Sequence, residues 1–325
     1  MQMMSGYWVA QALYVAATLG VADRLRDGPE TAEALASATG AHAGSLFRLL
    51  RALSSLGVLA QDGQERFALT PLGAALQSGP GTARAMVLHL GERPSWNAWG
   101  ELLHSVRTGQ TAFPRANGQE VFAYYGAHPE SAEPFNQAMT EYSEAVSAAV
   151  VRAYDFSGIS TLVVVGGGHG SLLAAILEAN PRLKGIVFDL PEVVAGARVR
   201  IEAEGLGGRC ELAGGDFFAS VPSGADAYIL KAIIHDWDDE RALAILRNVH
   251  GAMAAEGKLL LAELVVPPGG EGALSKLSDL HMMVMTGGRE RTEAEYGALL
   301  GAAGFRLSRV VPTESLVSVI EGVKD

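Results

Sequence analysis

One histidine stands in front of a run of acidic side chains in the stretch "KAIIHDWDDE", residues 231–240. Acidic residues are favoured in the first turn of a helix, because free N–H groups and the helix dipole attract negative charge. The following stretch, "DDERALAILRNVHGAM", is predicted to be such a helix. This explains the acidic run but not His235 or Trp237. From its position alone, His235 could be either a structural residue or a proton acceptor.

A glycine-rich turn is the second chemical feature. In "LVVVGGGHGS", residues 162–171, a predicted buried strand runs into glycines and then into a helix. Glycines let a ligand approach the backbone next to a helix N-terminus. The next predicted strand ends at Asp189, 21 residues after Gly168, where a carboxylate is suited to hold ribose hydroxyls. A tight turn without a ligand is the alternative interpretation. A nicotinamide dehydrogenase is disfavoured, because Ser171 replaces the last glycine or alanine of that motif.

The elements that must position these residues alternate between strand and helix after residue 160. Such alternation predicts a parallel sheet covered by helices on both faces, an α/β fold. The tail "GFRLSRVV" and "SLVSVIEG" is predicted to add a closing hairpin. Residues 96–155 are predicted to be helical and rich in aromatic residues and methionine, which suits either a core or the wall of a site for a flat ring.

Residues 31–76 predict helix, helix and a hairpin turning at Asp62-Gly63, a winged-helix pattern. Binding to duplex DNA needs clustered positive charge. The segment has three arginines against one aspartate and two glutamates, and the whole chain carries a net charge of −11. A DNA-binding regulator is therefore disfavoured. The apolar N-terminal helix "GYWVAQALYVAATLGVADRL" is predicted to pack against another subunit, and it is too interrupted for a signal peptide or a membrane span.

The length of 325 residues favours two domains, predicted as residues 1–95 and 96–325. A single cysteine, Cys210, excludes an internal disulfide and a cysteine-based metal site. The spacing of histidines and carboxylates indicates no metal ligand set. A reducing cytoplasmic setting is predicted, without nucleic-acid or membrane partners.

The chain resembles the S-adenosylmethionine-dependent small-molecule O-methyltransferases of the plant caffeate, acetylserotonin and bacterial polyketide-tailoring type. Stretches that carry the resemblance, in the same order, include "LLHSVRTGQTAF", "VVVGGGHGSL", "VFDLPEVV", "GDFFASVP", "LKAIIHDWDDE", "LAELVVP" and "GGRERTEAEYGALLGAAGF". It implies a Rossmann-like domain with a seven-stranded, mostly parallel sheet, and an N-terminal winged-helix-like dimerisation domain. It also implies a homodimer and an aromatic hydroxylated acceptor in natural-product tailoring.

The resemblance assigns the glycine turn to the methionine part of S-adenosylmethionine and Asp189 to the ribose. Asp216 and Phe217 would flank the adenine, with Lys231 nearby, and Ser143 would help to hold the cofactor carboxylate. The full set implied for the cofactor is Ser143, Gly166, Gly167, Gly168, Asp189, Leu190, Asp216, Phe217 and Lys231. Trp99, Phe135 and Met139 are implied for the substrate pocket.

His235 matches the general base of this family, Glu263 and Glu290 match the two acids that orient it, and Asp236 assists by position. A phenol with a pKa near 10 is mostly protonated at neutral pH, so a base that takes its proton promotes attack by the oxygen. The strand before the glycines departs from the family pattern, because Val164 replaces the usual aspartate. Relatives that hydroxylate or decarboxylate keep the same fold, but the presence of His235, Glu263 and Glu290 favours methyl transfer.

Overall fold

A computed structural model describes residues 2–325; Met1, the first residue of the predicted N-terminal domain, lies outside the described residues. The helices are α1 (Gly6–Thr18), α2 (Val21–Arg24), α3 (Ala32–Thr39), α4 (Ala43–Ser55), α5 (Pro71–Ala74), α6 (Arg84–Gly91), α7 (Arg93–Gly100), α8 (Leu102–Thr108), α9 (Ala112–Asn117), α10 (Val121–Ala127), α11 (Pro129–Ala153), α12 (Ser171–Ala179), α13 (Pro191–Ala203), α14 (Asp239–Ala252), α15 (Ala273–Met285) and α16 (Glu293–Ala302). The strands are β1 (Glu30–Thr31), β2 (Leu59–Gln61), β3 (Arg66–Leu69), β4 (Thr161–Val165), β5 (Lys184–Asp189), β6 (Cys210–Gly214), β7 (Ala227–Lys231), β8 (Lys258–Leu264), β9 (Phe305–Pro312) and β10 (Val317–Lys324).

The chain divides into two compact units. Among the described residues, the first consists of residues 2–100 and Ala116–Tyr142, and the second of Glu101–Arg115 and Ser143–Asp325. The division into residues 1–95 and 96–325 made from the sequence stays a prediction. None of the helices described in residues 2–325 combines the length and apolar character needed to cross a membrane. The cytoplasmic location also stays a prediction.

The first unit contains the winged-helix pattern. Thr31 caps α3 by accepting a hydrogen bond from Ala34 N, and Gly40 ends this helix in the left-handed conformation. β2 and β3 form the hairpin across Asp62-Gly63, and β1 pairs with the other edge of β3. Leu35, Leu50, Leu53 and Phe67 are completely buried in the core of this unit. The predicted helix, helix and hairpin are confirmed.

The second unit is built around a seven-stranded sheet of order β6-β5-β4-β7-β8-β10-β9. The five strands from β6 to β8 are parallel, and β10 and β9 form the antiparallel closing hairpin. β4 reads as a continuous apolar run because helices cover both faces of the sheet. Val163 and Val165 pack into the same core as Ile245 of α14 and Leu300 of α16. The predicted Rossmann-like fold is confirmed.

The sheet order determines which segments can form a site. The glycine turn follows β4, Asp189 ends β5, and the His235 segment follows β7, which pairs with β4. Because these strands are parallel, their carboxyl ends lie at one edge of the sheet. Ligands of open α/β sheets bind at this edge.

Candidate active site

The glycine turn after β4 has backbone angles and clearances that only glycine satisfies well. Gly166 and Gly168 have φ values of 67° and 54°, in the left-handed region. A Cβ at Gly166 would lie 2.4 Å from Ile233 Cδ1, and one at Gly167 would lie 2.8 Å from Val187 Cγ1. A Cβ at Gly168 would meet no described atom within 4 Å. The turn is therefore packed on the protein side and open above Gly168, as a ligand cradle requires.

Asp189 is held against this turn. Its Oδ2 accepts a hydrogen bond from Gly168 N at 2.8 Å, and its Oδ1 accepts one from Leu190 N at 2.7 Å. A carboxylate offers about four acceptor positions, so both oxygens keep capacity for further donors such as ribose hydroxyls. Asp189 therefore combines support of the turn with the ability to bind a ligand. Leu190, which follows it, is the N-cap residue of α13 and is exposed.

Val164 lies beneath the glycine turn and cannot accept a hydrogen bond. Its side chain is buried, and its Cγ1 lies 3.4 Å from the position of a Cβ at Gly167. The N–H groups of Gly166 and Gly167 instead donate to Phe188 O at 2.9 and 3.1 Å, and Gly168 N donates to Asp189. The end of β5 therefore fixes the turn without an acid at position 164.

The residues predicted to surround the adenine lie in the loop after β6 and at the end of β7. Asp216 Oδ1 accepts a hydrogen bond from Phe218 N at 2.8 Å, which stabilises this loop. The ring of Phe217 comes within 3.9 Å of the position of a Cβ at Gly166, so it lies beside the turn. Lys231 ends β7; burial lowers its pKa to about 8 although Glu263 opposes this shift.

Ser143, on the long helix α11, lies next to the first turn of α12. Its Oγ lies 2.8 Å from Ser171 Oγ, the first residue of α12. Both hydroxyls therefore lie close to a helix N-terminus that follows the glycine turn. This is a favourable position for a ligand carboxylate.

The segment that carries His235 turns sharply after β7. Ala232 has a φ of 53°, which is uncommon for a residue other than glycine, and residues Ile234–Asp236 form one turn of 3-10 helix. Glu263 Oε1, from β8, accepts hydrogen bonds from Ile233 N at 3.0 Å and Ile234 N at 2.8 Å. The carboxylate therefore holds the turn that delivers His235.

His235 is surrounded by three carboxylates. Its Nδ1 lies 3.1 Å from Glu290 Oε1 and 3.8 Å from Glu263 Oε2, and its Nε2 lies 3.8 Å from Asp236 Oδ1. Glu290 Oε1 also accepts from Ser278 Oγ at 2.8 Å, while its backbone N donates to Asp279. The two glutamates thus face Nδ1, whereas Asp236 lies 3.8 Å from Nε2, beyond hydrogen-bonding distance, and leaves this nitrogen available for proton transfer.

This cluster changes the pKa values of its members. Burial alone would lower the pKa of His235, but Glu263, Asp236 and Glu290 together raise it to about 10. Burial raises the pKa of Glu263 to about 7, against the opposing effect of His235. Burial also raises the pKa of Asp236. The ordinary histidine pKa of about 6.5 does not apply here, because desolvated carboxylates favour the imidazolium.

His235, Glu263 and Glu290 also form a group that could hold a metal ion, since one ligand atom of each lies within 4.8 Å of the others. Spacing along the chain did not reveal this group. Glu263 Oε2 and Glu290 Oε2 are both buried without a hydrogen-bond partner. The charge of Glu290 adds to the effect of burial in raising the pKa of Glu263, because two neighbouring buried carboxylates disfavour double ionisation.

Trp99, Phe135 and Met139, predicted for the substrate pocket, are half-buried residues of the first unit. Phe135 stacks on Tyr125 with ring centroids 4.6 Å apart and lies edge-on to His89 at 5.2 Å. His89 and Glu92, which are buried, lie 3.5 Å apart. The aromatic residues of this region were expected from the sequence, but the buried pair of His89 and Glu92 was not, because isolated polar residues in a helical region carry no recognisable spacing.

Several side chains that organise the site were also missed. Arg291 is buried and bonded to Asp239, an acid that had been attributed to the helix start alone. Asn248 Nδ2 donates to Phe217 O and Phe218 O. Trp237 packs edge-on against Phe218 with ring centroids 4.9 Å apart, so it supports the loop that carries Asp216. The two arginines that flank Glu290 in "RER", residues 289–291, were the sequence signal that could have indicated Arg291.

The chain matches two family descriptions in succession. The O-methyltransferase dimerisation domain covers residues 1–79, and the O-methyltransferase domain covers residues 99–306. The chain belongs to the O-methyltransferase family. This methyltransferase uses S-adenosylmethionine as its cofactor and is an O-methyltransferase of the bacterial natural-product type. The turn, Asp189 and the α12 N-terminus fit that cofactor.

Relatives cover nearly the whole methyltransferase. The phenazine O-methyltransferase PhzM of Lysobacter antibioticus is 47% identical over 99% of this chain and 94% of its own. The mitomycin biosynthesis 6-O-methyltransferase of Streptomyces lavendulae is 42% identical, over 95% of this chain and 89% of its own. The O-methyltransferase NcsB1 from neocarzinostatin biosynthesis was solved with S-adenosylmethionine and 2-hydroxy-5-methyl naphthoic acid. It is 38% identical, with a TM-score of 0.85 over 98% of this chain and 96% of its own.

Proposed function

We propose that this O-methyltransferase methylates a hydroxyl of an aromatic natural product, with His235 as the general base. The observation that carries this proposal is the arrangement of His235, whose Nδ1 is hydrogen-bonded to Glu290 while Nε2 lies 3.8 Å from Asp236 Oδ1, beyond hydrogen-bonding distance. The relatives named above are a phenazine O-methyltransferase, a mitomycin biosynthesis O-methyltransferase and an enzyme solved with a naphthoic acid, which supports an aromatic acceptor. Trp99, Phe135 and Met139 are proposed to contact its ring.

The proposed roles of the cofactor residues follow from their positions at the end of the sheet. S-adenosylmethionine supplies a methyl group on a sulfonium, which becomes a neutral thioether in the product. Asp189 accepts hydrogen bonds from the ribose, and Gly166, Gly167 and Gly168 allow close approach of the methionine part. Ser143 and the N-terminus of α12 hold the cofactor carboxylate. The ring of Phe217 and the side chain of Asp216 flank the adenine, and Lys231 lies near it.

His235 Nε2 accepts the proton of the acceptor hydroxyl as its oxygen attacks the methyl group. Glu290 keeps Nδ1 protonated and oriented, and Glu263 stabilises the positive charge that develops on the ring. Because the pKa of His235 is raised to about 10, the resting imidazole carries an additional proton at neutral pH. In the reactive state, the His235 ring has one proton fewer. Asp236 contributes by raising this pKa, and positioning of the acceptor contributes much of the remaining acceleration.

The proposal predicts that His235→Ala retains cofactor binding and loses methyl transfer by about 100-fold or more, the usual effect of removing a general base. The assay follows products one methylene unit heavier across a panel of hydroxylated phenazines, naphthoates and simple phenols. A chelator is present throughout, because we propose that no metal takes part. His250→Ala is a control, since the His250 ring packs edge-on against Phe305.

Near-normal turnover of His235→Ala with an unionised acceptor would exclude a base role. Loss of wild-type activity in chelator would point to a metal on His235, Glu263 and Glu290. Products that are hydroxylated or decarboxylated instead of methylated would indicate the altered chemistry known within this fold. Tight binding to duplex DNA would revive the regulator hypothesis, for which Arg48 and Arg51 on the exposed side of α4 are the available contacts.

A further inference from the structure

The segment Gly288–Arg289–Glu290–Arg291, called here the 288–291 brace, lies against the backbone that carries His235. A Cβ at Gly288 would lie 2.0 Å from His235 O, a distance that no side chain permits. The next residue, Arg289, donates its backbone N–H to the same oxygen at 2.8 Å. The two backbones are therefore in direct contact, and His235 is held by its main chain as well as by its ring.

Arg291 holds the same segment on both sides of His235. Its Nη1 donates to Ile234 O at 3.2 Å, and its Nη2 donates to Trp237 O at 3.0 Å. Nε and Nη2 also donate to Asp239 Oδ1 at 3.0 and 2.7 Å. A guanidinium is planar and directs these donors rigidly. Its bonds therefore fix the carbonyl groups that come before and after the His235–Asp236 pair.

The brace is itself anchored to the sheet. Arg291 forms a bridge with Val265, directly after β8, and its carbonyl oxygen accepts from Val266 N at 2.9 Å. β8 is the strand that carries Glu263. Arg291 is only 1% exposed, and a buried charge is costly unless its donors are satisfied. Replacing it by an apolar residue would leave the carbonyls of residues 234 and 237 without these partners.

We propose that Arg291 is a positioning residue for His235. It does not touch the imidazole. It fixes the backbone of residues 234–237, and thereby the distance from His235 Nδ1 to Glu290 and the direction of Nε2. This inference rests on the proposed base role of His235.

The test compares Arg291→Lys and Arg291→Gln with the wild-type enzyme. We expect Arg291→Gln to lower kcat by about 100-fold, the effect of misplacing a catalytic group by about 1 Å. Binding of S-adenosylhomocysteine, measured by calorimetry, stays unchanged because Arg291 contacts none of the cofactor residues. The pH at which kcat rises moves down, because a looser His235–Glu290 contact stabilises the imidazolium less. Arg291→Lys, which keeps the charge but loses the planar fork, falls between the two.

Arg247→Gln is the matched control. Arg247 is exposed on α14 and donates only to Ala302 O at 3.5 Å, so its replacement should leave every measured quantity unchanged. The second readout is a double-mutant cycle in the His235→Ala background. A residue that acts through His235 causes no further loss there, whereas a residue with a general structural role lowers the residual rate again.

Wild-type turnover of a folded Arg291→Gln enzyme would overturn the proposal. A parallel loss of kcat and S-adenosylhomocysteine binding with an unshifted pH profile would also overturn it, as would failure of both variants to fold. If His235→Ala itself retained full turnover, the proposed function would fail first. If His235→Ala lost turnover and the Arg291 variants did not, only the positioning role would be wrong.

Discussion

At the scale of single residues, the surroundings of His235 have a consequence for the pH at which the enzyme works. Three carboxylates face one imidazole: Glu263 from β8, Glu290 from the segment before α16, and Asp236 next to it in the chain. Lys231 also interacts electrostatically with Glu263, and Asp279 Oδ1 accepts a hydrogen bond from Glu290 N. The net effect of these charges keeps a proton on His235.

We predict that kcat rises with pH from 7 towards the His235 pKa of about 10, because the proton-accepting form is gained as pH increases through this value. Asp236→Asn removes one carboxylate that raises the pKa, so the rise should move to lower pH. Glu240→Gln, at an exposed acid of α14, should leave the profile unchanged. Rates are measured with two acceptors of different acidity. If the midpoint of the pH profile changed with the acidity of the acceptor and not with the Asp236→Asn substitution, the prediction would be contradicted.

Asp189 is the residue on which cofactor binding is expected to depend most. We predict that Asp189→Ala weakens binding of S-adenosylhomocysteine, since two ribose hydroxyls lose a charged acceptor that is worth about 1.5 to 3 kcal/mol each. The Gly168 N–H also loses its partner. Glu192→Ala, at an exposed acid three residues later, is the control. Wild-type affinity of Asp189→Ala in calorimetry would remove the glycine turn and its acid from the cofactor site.

At the scale of elements, helix α16 fixes the end of the brace. Thr292 caps α16 in a complete capping box, in which its side chain accepts from Glu295 N and Glu295 accepts from the Thr292 backbone. The capping residue directly follows Arg291. The start of this helix therefore determines where Glu290 and Arg291 lie relative to β8.

We predict that Thr292→Ala lowers the free energy of unfolding by about 1 kcal/mol, the usual cost of losing an N-cap side chain. The measurement is denaturant unfolding monitored by circular dichroism. Thr108→Ala is the control, because Thr108 Oγ1 bonds a carbonyl within its own helix and is exposed. Equal stability of the two variants would show that the cap does not anchor this segment.

At the scale of the whole molecule, one group of exposed large apolar residues lies close together in the sequence near the N-terminus. Met3, Met4, Tyr7 and Trp8 are 99%, 74%, 56% and 63% exposed. They belong to the segment that matches the dimerisation domain. Clustered large apolar groups in water favour association, and a symmetric dimer is the commonest arrangement.

We predict that the wild-type enzyme is a homodimer and that Tyr7→Glu combined with Trp8→Glu yields monomers, as measured by light scattering. The introduced charges would be buried without partners in the dimer. Val199→Glu is the control, because Val199 is 76% exposed on α13 of the second unit. A monomeric wild-type enzyme at micromolar concentration, or a double variant that remains dimeric, would contradict the prediction.

Local patterns in the sequence were sufficient for the elements. The apolar run of β4, the Thr31 cap, the hairpin at Asp62-Gly63 and the order of strands and helices depend on neighbouring residues, so each could be predicted. The parallel sheet follows from their alternation. The motifs then identified the family and the residues expected to bind the cofactor.

Only the tertiary structure decided how distant residues combine. Residues 235, 263 and 290 come from three separate segments, and parallel pairing of β7 with β8 together with the brace brings one side-chain atom of each within 4.8 Å of the others. The pKa of His235, the support that Asp189 gives to the turn above Val164, and the bonds of Arg291 arise from burial and from directions of side chains. These quantities depend on distances in space, which spacing along the chain does not encode.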